Sequence, residues 1–328
     1  MSRSGGRALS ILAVLAGLLA LAAAGSPATA QKRPMIGVLS PFVDAESTFL
    51  QDLREGLGER GLHDGREITI EYRSAEGRIE RLPGLAEQLV RLKVDVIVTA
   101  SAPAIRFVQQ STQKIPIVMA RVGDAVDQGF VTSLAHPGGN ITGISWLAPE
   151  LSAKRLELMK EVLPGMLRVG VLREASAGAA SVIAVQAAAA KLGLMPSVFE
   201  VREPQEFATA FSAMADAKVE GIEVLEGLMI FNGVRPLVVL AASHHLPTIF
   251  PDVSFVRAGG LLSYGPDFRE IHRRTAEIVG KILRGTPPGD IPVEQPTKFE
   301  FAVNLNTAQA FGLPIPPAVL LRADVVIE

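Results

Sequence analysis

Residues 115–146 read IPIVMARVGDAVDQGFVTSLAHPGGNITGISW. The opening, 115–120, is a short apolar run of the kind that forms a strand buried on both faces. A turn follows at Val122-Gly123-Asp124, then a segment read as a helix. After His136-Pro137-Gly138-Gly139 the chain extends again through Asn140-Ile141-Thr142-Gly143. A strand that leaves one α/β lobe for another has this form, so a crossover between two lobes is expected here, with the working site in the cleft between them.

Outward from this stretch, strand and helix patterns alternate. Upstream lie an apolar run at 36–39, a helical pattern at 46–60 with Phe49, Leu50, Leu53 and Leu57 on one face and Gly61 as its cap, a strand at 68–72, a helix at 79–92, a strand at 94–99 and a helix opening near Pro103. Downstream the alternation restarts with helices at 148–162, 179–192, 204–217 and 234–244. Between them are strands at 169–172, 196–201, 221–225 and 248–250, and 259–264 is expected to return the chain. Strict alternation points to parallel sheets covered by helices on both faces. Beyond it, 267–284 is a long amphipathic segment, and Pro287-Pro288 and the prolines within 314–317 are read as loop breakers.

With 328 residues, 48% hydrophobic and 20% charged, the chain can bury a large core and exceeds one typical domain, so two lobes are the default. Residues 1–30 carry Arg3 and Arg7, an apolar run over 8–24 and Ala28-Thr29-Ala30, the small-x-small pattern of a signal-peptidase site. Cleavage before Gln31 and export to the periplasm are expected. An uncleaved N-terminal anchor is the alternative, because the run approaches the roughly 18 residues of a spanning helix; Gly17 and Gly25-Ser26-Pro27 favour the signal peptide. Without Arg3 and Arg7, 30 basic residues stand against 34 acidic ones, which gives no electrostatic reason to expect nucleic acid. The absence of cysteine removes disulfides, thiolate nucleophiles and Cys-ligated metals, and with them the lipid-bearing cysteine of a bacterial lipoprotein.

Gly123-Asp124 after a buried strand, then Gly129-Phe130-Val131-x-Ser133-Leu134 and Pro137-Gly138-Gly139-Asn140-Ile141-Thr142-Gly143, resembles the ABC-transporter substrate-binding proteins of the tryptophan/tyrosine-binding type. GGLLSYGP at 259–266 and PVEQPTKFE at 292–300 extend the resemblance over 35–328. It implies a periplasmic binding protein of type I, with two Rossmann-like parallel-sheet lobes joined by three crossover segments. Lobe one would comprise 31–143 plus about 266–328, including a strand at 299–303, and lobe two 144–265. The function implied is capture of a small solute, an amino acid or related molecule, by hinge closure, followed by delivery to an ABC permease in the inner membrane. A monomer without cofactor, metal or catalytic residues is expected. In two places the chain departs from the family pattern: Ala125 stands where proline commonly follows Gly-Asp, and Arg173-Glu174-Ala175 where Asn-Pro is frequent.

Ligands in open parallel sheets sit beyond the C-terminal strand ends, where helix N-termini offer free N–H groups. In lobe one those ends are Ser40, the Ser101-Ala102 turn and Gly123-Asp124. Ser101 and the N–H groups around Ala102 suit a carboxylate, and Asp124 suits an ammonium through a charge-assisted bond. The plainer readings are a helix cap for Ser101 and a turn stabiliser for Asp124. From lobe two the strand-end candidates are Arg173 with Glu174, Glu226 and Asp252. Trp146, the only tryptophan, and Tyr264, one of two tyrosines, lie near the crossovers and suit either stacking on a ligand ring or hinge packing.

Three other signals fall short. Gly56-Leu57-Gly58-Glu59-Arg60-Gly61 matches a dinucleotide loop on paper but sits at the end of a helical pattern rather than after a strand. The five histidines show no compact metal-ligand spacing. Ser263 lacks the first glycine of a nucleophile elbow. Two other function classes remain open: a ligand-binding partner of a membrane sensory receptor, and a doubly wound enzyme.

Overall fold

The structure, a computed structural model, describes residues 33–43, 48–146, 148–177 and 179–328; the expected signal segment lies outside them. The first sheet holds β1 (Met35–Ser40), β2 (Thr69–Ser74), β3 (Val96–Ala100), β4 (Ile117–Gly123) and β5 (Ile141–Trp146) in the order β2-β1-β3-β4-β5. All its pairings are parallel. The apolar runs explain why. Ile36, Val38, Val96 and Val98 feed the core on one face, while Leu39 and Ile97 feed the core on the other, as the period of two requires of a strand buried on both sides. The helices α1 (Thr48–Gly58), α2 (Leu82–Leu92) and α3 (Ala102–Ser111) belong to this lobe.

The second sheet contains β6 (Arg168–Glu174), β7 (Met195–Val201), β8 (Gly221–Val224), β9 (Thr248–Phe250), β10 (Leu262–Pro266), β11 (Phe299–Asn304) and β12 (Val325–Ile327), ordered β12-β11-β10-β9-β8-β6-β7. Its helices are α4 (Ala148–Val162), α5 (Ala180–Leu192), α6 (Glu206–Asp216), α7 (Leu228–Asn232), α8 (Val234–Ser243) and α9 (Val253–Arg257). The amphipathic segment becomes α10 (Phe268–Leu283), which crosses back to the first lobe and puts Ile271, Ala276, Ile278 and Val279 into one core with Leu53 and Leu57 of α1.

Three expectations are corrected. The strand at 299–303 belongs to the second sheet, not the first: β11 pairs antiparallel with β10, Tyr264 opposite Phe301, and Phe301 and Val303 share a core with Leu262. The chain thus crosses a third time after α10 and ends in the second lobe. The segment after Asp124 is no helix. Asp124 itself has φ 57°, and a single turn, with Gln128 N–H on the Asp124 carbonyl and Phe130 N–H on that of Ala125, ends at Gly129 with φ 73°. The proline-broken C-terminal third also carries α11 (Leu305–Ala310), α12 (Pro317–Leu320) and β12.

An irregularity in β4 positions the site. Thr99 pairs with Met119 and Ala100 with Arg121 on one side, while Met119 pairs with Gly143 and Val122 with Ser145 on the other. Ala120-Arg121 is therefore a bulge, a device that re-aims a side chain at a strand end. Gly143 accommodates it. At φ 140° its Cα lies so close to Met119 that any Cβ would overlap the Met119 carbonyl. The outer edge of β5 is laced by the third crossover: Ser145 N–H donates to the Glu294 carbonyl, Glu294 N–H to that of Gly143, and Thr142 Oγ1 to that of Ile291 at 2.7 Å.

Candidate functional site

A cleft of about 900 Å³, part of it open to solvent, is walled by residues at the C-terminal ends of β3, β4 and β5 on one side and of β6 and β8 on the other. The lobes meet across it. Phe42 and Ala100 pack against Leu228 and Phe231, and Val43 N–H donates to Asn232 Oδ1 at 3.1 Å.

The first-lobe wall is built by strand-to-helix turns. Ser101, between β3 and α3, holds φ 71° and ψ 147°, a conformation rarely tolerated outside glycine and stored where surroundings over-determine it. Its N–H donates to the Arg121 carbonyl at 2.8 Å, and its Oγ is buried without a partner. Beside it, the first N–H groups of α3 have no intrahelical acceptor. Asp124 follows β4; its N–H donates to the Trp146 carbonyl at 3.0 Å, and the next N–H, of Ala125, to Ser145 Oγ at 2.9 Å. Burial, then the charges of Asp127 and Glu150, hold the Asp124 carboxyl above its ordinary range. Trp146, 4% exposed, packs edge-on against Phe268 at 5.6 Å and leaves its buried Nε1 unpartnered.

Arg121 stands between these turns. Its Cζ lies 3.5 Å from the Phe268 ring centroid, 4.3 Å from that of Phe231 and 5.0 Å from that of Phe42. Burial pulls its pKa down to about 10, against the field of Asp252, whose carboxylate caps α9 at Ser254 N–H.

The second-lobe wall carries Glu174 and Glu226. Glu174 accepts from Met229 N–H at 2.8 Å and from Ser176 Oγ. Glu226 Oε1 accepts from Arg155 Nη2 at 2.7 Å, while Oε2 is buried and unpartnered. Arg155 is fully buried and also donates to Glu223 Oε1 at 3.3 Å, Ser152 Oγ at 2.9 Å and the Tyr264 carbonyl at 3.2 Å. Burial, only partly opposed by Arg155 and reinforced by Glu226, pushes Glu223 up to about 8. Glu223 is therefore mainly protonated at neutral pH, its Oε1 still accepting from Arg155.

Of the residues singled out from sequence, Ser101, Ala102, Gly123, Asp124, Trp146 and Glu226 line this cleft. Ser40, Arg173 and Tyr264 do not. Ser40 is fully buried, its Oγ accepting from Phe42 N–H; Arg173 turns its guanidinium onto the Ala175 and Ala177 carbonyls; Tyr264 stacks on Phe299. Glu174, a strand-end candidate beside Arg173, lines the cleft as well, whereas Asp252, also a candidate, caps α9 outside it; sequence reading passed over Phe42, Arg121 and Phe231 as wall residues. An arginine inside the apolar run IVMARVG was the available signal for Arg121.

Residues 36–327 match the family model of the ABC transporter substrate binding protein. A tyrosine-binding protein of Clostridioides difficile (strain R20291) is 27% identical over 262 residues, spanning 79% of this chain and 75% of that protein. The crystal structure of an ABC domain in complex with L-Trp from Streptococcus pneumonia superposes with a TM-score of 0.83 at 29% identity, over 90% of this chain and 100% of that one. A conserved domain protein from Vibrio cholerae gives 0.82 at 29% identity with the same coverage. A family model matched over nearly the whole described chain, on a fold of two parallel-sheet lobes about a cleft, places this protein in the ABC transporter substrate-binding protein family.

Proposed function

We propose that the protein captures an amino acid, most suitably an aromatic one, in the interlobe cleft and delivers it to an ABC permease. The observation that carries this reading is the pairing of opposite chemistries across one pocket. Ser101 Oγ and the N-terminal turn of α3 offer unpartnered donors for a carboxylate, and Asp124 and its acidic neighbours offer acceptors for an ammonium. Trp146 and Phe231 add apolar surface to the same pocket. The relatives described as binding tyrosine and L-Trp support the same ligand class.

Closure follows from population shift: a ligand touching both walls favours the state in which they meet, by its differential affinity for that state. No covalent step is needed. The Ala28-Thr29-Ala30 site in 1–30 supports export to the periplasm. Thermal-shift screening of the chain starting at Gln31 against amino acids, sugars, nucleosides and small carboxylates tests the reading. Ligand at about 100 times its dissociation constant adds roughly 2.7 kcal/mol of stability. A hit confined to sugars or nucleosides would replace the ligand class, and silence for every amino acid would overturn the proposal.

A further inference from the structure

Among the described residues, Arg121 is the one basic side chain on the cleft wall, whose acidic members are Asp124, Asp127, Glu174 and Glu226. The two glutamates have partners. Glu226 is held by Arg155, and Glu174 by Met229 N–H and Ser176. Among the described residues, no hydrogen bond or ion pair engages the Arg121 guanidinium, and its Nε is buried without a partner. Asp252, whose field reaches it, is committed to the α9 cap. Three phenyl rings surround it at 3.5–5.0 Å. Ring faces favour a cation but offer no acceptor for its N–H donors. A part-buried guanidinium with no hydrogen-bonded counter-ion is costly, yet the bulge at Ala120-Arg121 directs it here, at the cost of a glycine-only position at Gly143.

We infer that Arg121 is the anion receptor of the cleft, whose unpaired guanidinium takes the carboxylate of the bound amino acid together with the neighbouring Ser101 hydroxyl. The inference rests on the proposed amino-acid-binding function and adds its main charged contact. Planar N–H donors match a carboxylate in a two-point, charge-assisted arrangement. The Ser101 N–H bond to the Arg121 carbonyl at 2.8 Å fixes the two residues side by side. The rings hold the side chain in place before ligand arrives, which reduces the ordering cost of binding. Selectivity follows: a ligand whose carboxylate is neutralised covers the cation and leaves it unpaired.

Calorimetric titration of the wild type with L-tryptophan and L-tyrosine, and with their carboxamides, at a pH that keeps all amino groups protonated, tests this. The acids should bind about 10- to 100-fold more tightly than the amides. In Arg121→Met that preference should collapse, with the ligand-free protein melting no lower than wild type because a part-buried charge without an ion-pair partner has been removed. Arg121→Lys, which keeps charge but loses the planar donors, should retain part of it. Equal affinity of wild type for acid and amide would overturn the inference while leaving amino-acid binding intact. So would a preference preserved in Arg121→Met, or a marked loss of ligand-free stability, which would make Arg121 a packing residue only. Failure of wild type to bind any amino acid falls on the functional proposal itself.

Discussion

Arg155 Nη2 donates to Glu226 Oε1 at 2.7 Å, and this bond ties α4 to the end of β8 behind the cleft wall. Arg155 is 0% exposed, so its charge is tolerated only because Glu226 and Glu223 face it; their fields outweigh the burial that would otherwise lower its pKa.

Removing the cation should be the most damaging single change in this network. Arg155→Met leaves two buried carboxyl groups without their donor, and a buried pair broken on one side typically costs 3–5 kcal/mol. Urea denaturation should show that loss, and the double variant Arg155→Met/Glu226→Gln should cost less than the sum of the singles, because the two groups act on each other. A single-variant loss below about 1 kcal/mol would contradict the network.

Glu223 links stability to pH. Its folded-state pKa is raised, from 4.5 to about 8, so the native protein keeps a proton that the unfolded chain releases. Its contribution is fully present below pH 4.5 and is lost as pH rises through about 8. Glu223→Gln keeps an acceptor for Arg155 but cannot titrate. Relative to that variant, wild-type stability should fall between those two pH values; a constant difference across the window would mean that Glu223 is ionised throughout.

Gly143 should be intolerant of any side chain. Its φ of 140° and the overlap of a Cβ with the Met119 carbonyl both oppose Gly143→Ala, and strain at such a backbone position costs on the order of 1–3 kcal/mol before the clash is counted. Gly165, which has open space around it, serves as the control. Denaturation midpoints should drop sharply for Gly143→Ala and little for Gly165→Ala, and equal effects would remove the bulge argument.

Asp124→Ala should weaken amino-acid binding by at least about tenfold, the loss of one charge-assisted bond. Because burial and two neighbouring acids raise the Asp124 pKa, wild-type affinity should also decline as pH is lowered toward that raised value, and this decline should be absent in the variant. Unchanged affinity in a folded Asp124→Ala protein would take the residue out of the site.

Much of the site was legible for a simple reason: in a parallel sheet the residue after each buried strand sits at the ligand-facing end. That placed Ser101, Gly123, Asp124 and Glu226 on the cleft wall from the apolar runs alone. It failed at Ser40 and Arg173 because strand-end position does not say where a side chain turns. Ser40 is sealed beneath Phe42 N–H, and Arg173 bends back onto its own loop. Arg121 escaped for the converse reason, since a bulge detectable only from pairing with both neighbours turns a strand-interior position into a wall residue.

Local sequence determined the αβ alternation, because continuous apolar runs and 3.6-residue stripes must be buried whatever the global arrangement. Only the tertiary structure decided that 299–304 joins the second sheet rather than the first, that the segment after Asp124 is turns, and that Arg121, Phe42, Phe231 and Phe268 converge. Burial of a strand is a property of its own residues, whereas the sheet it enters and the partners its side chains meet depend on pairings between segments far apart in the chain. Periodicity carries no record of those pairings.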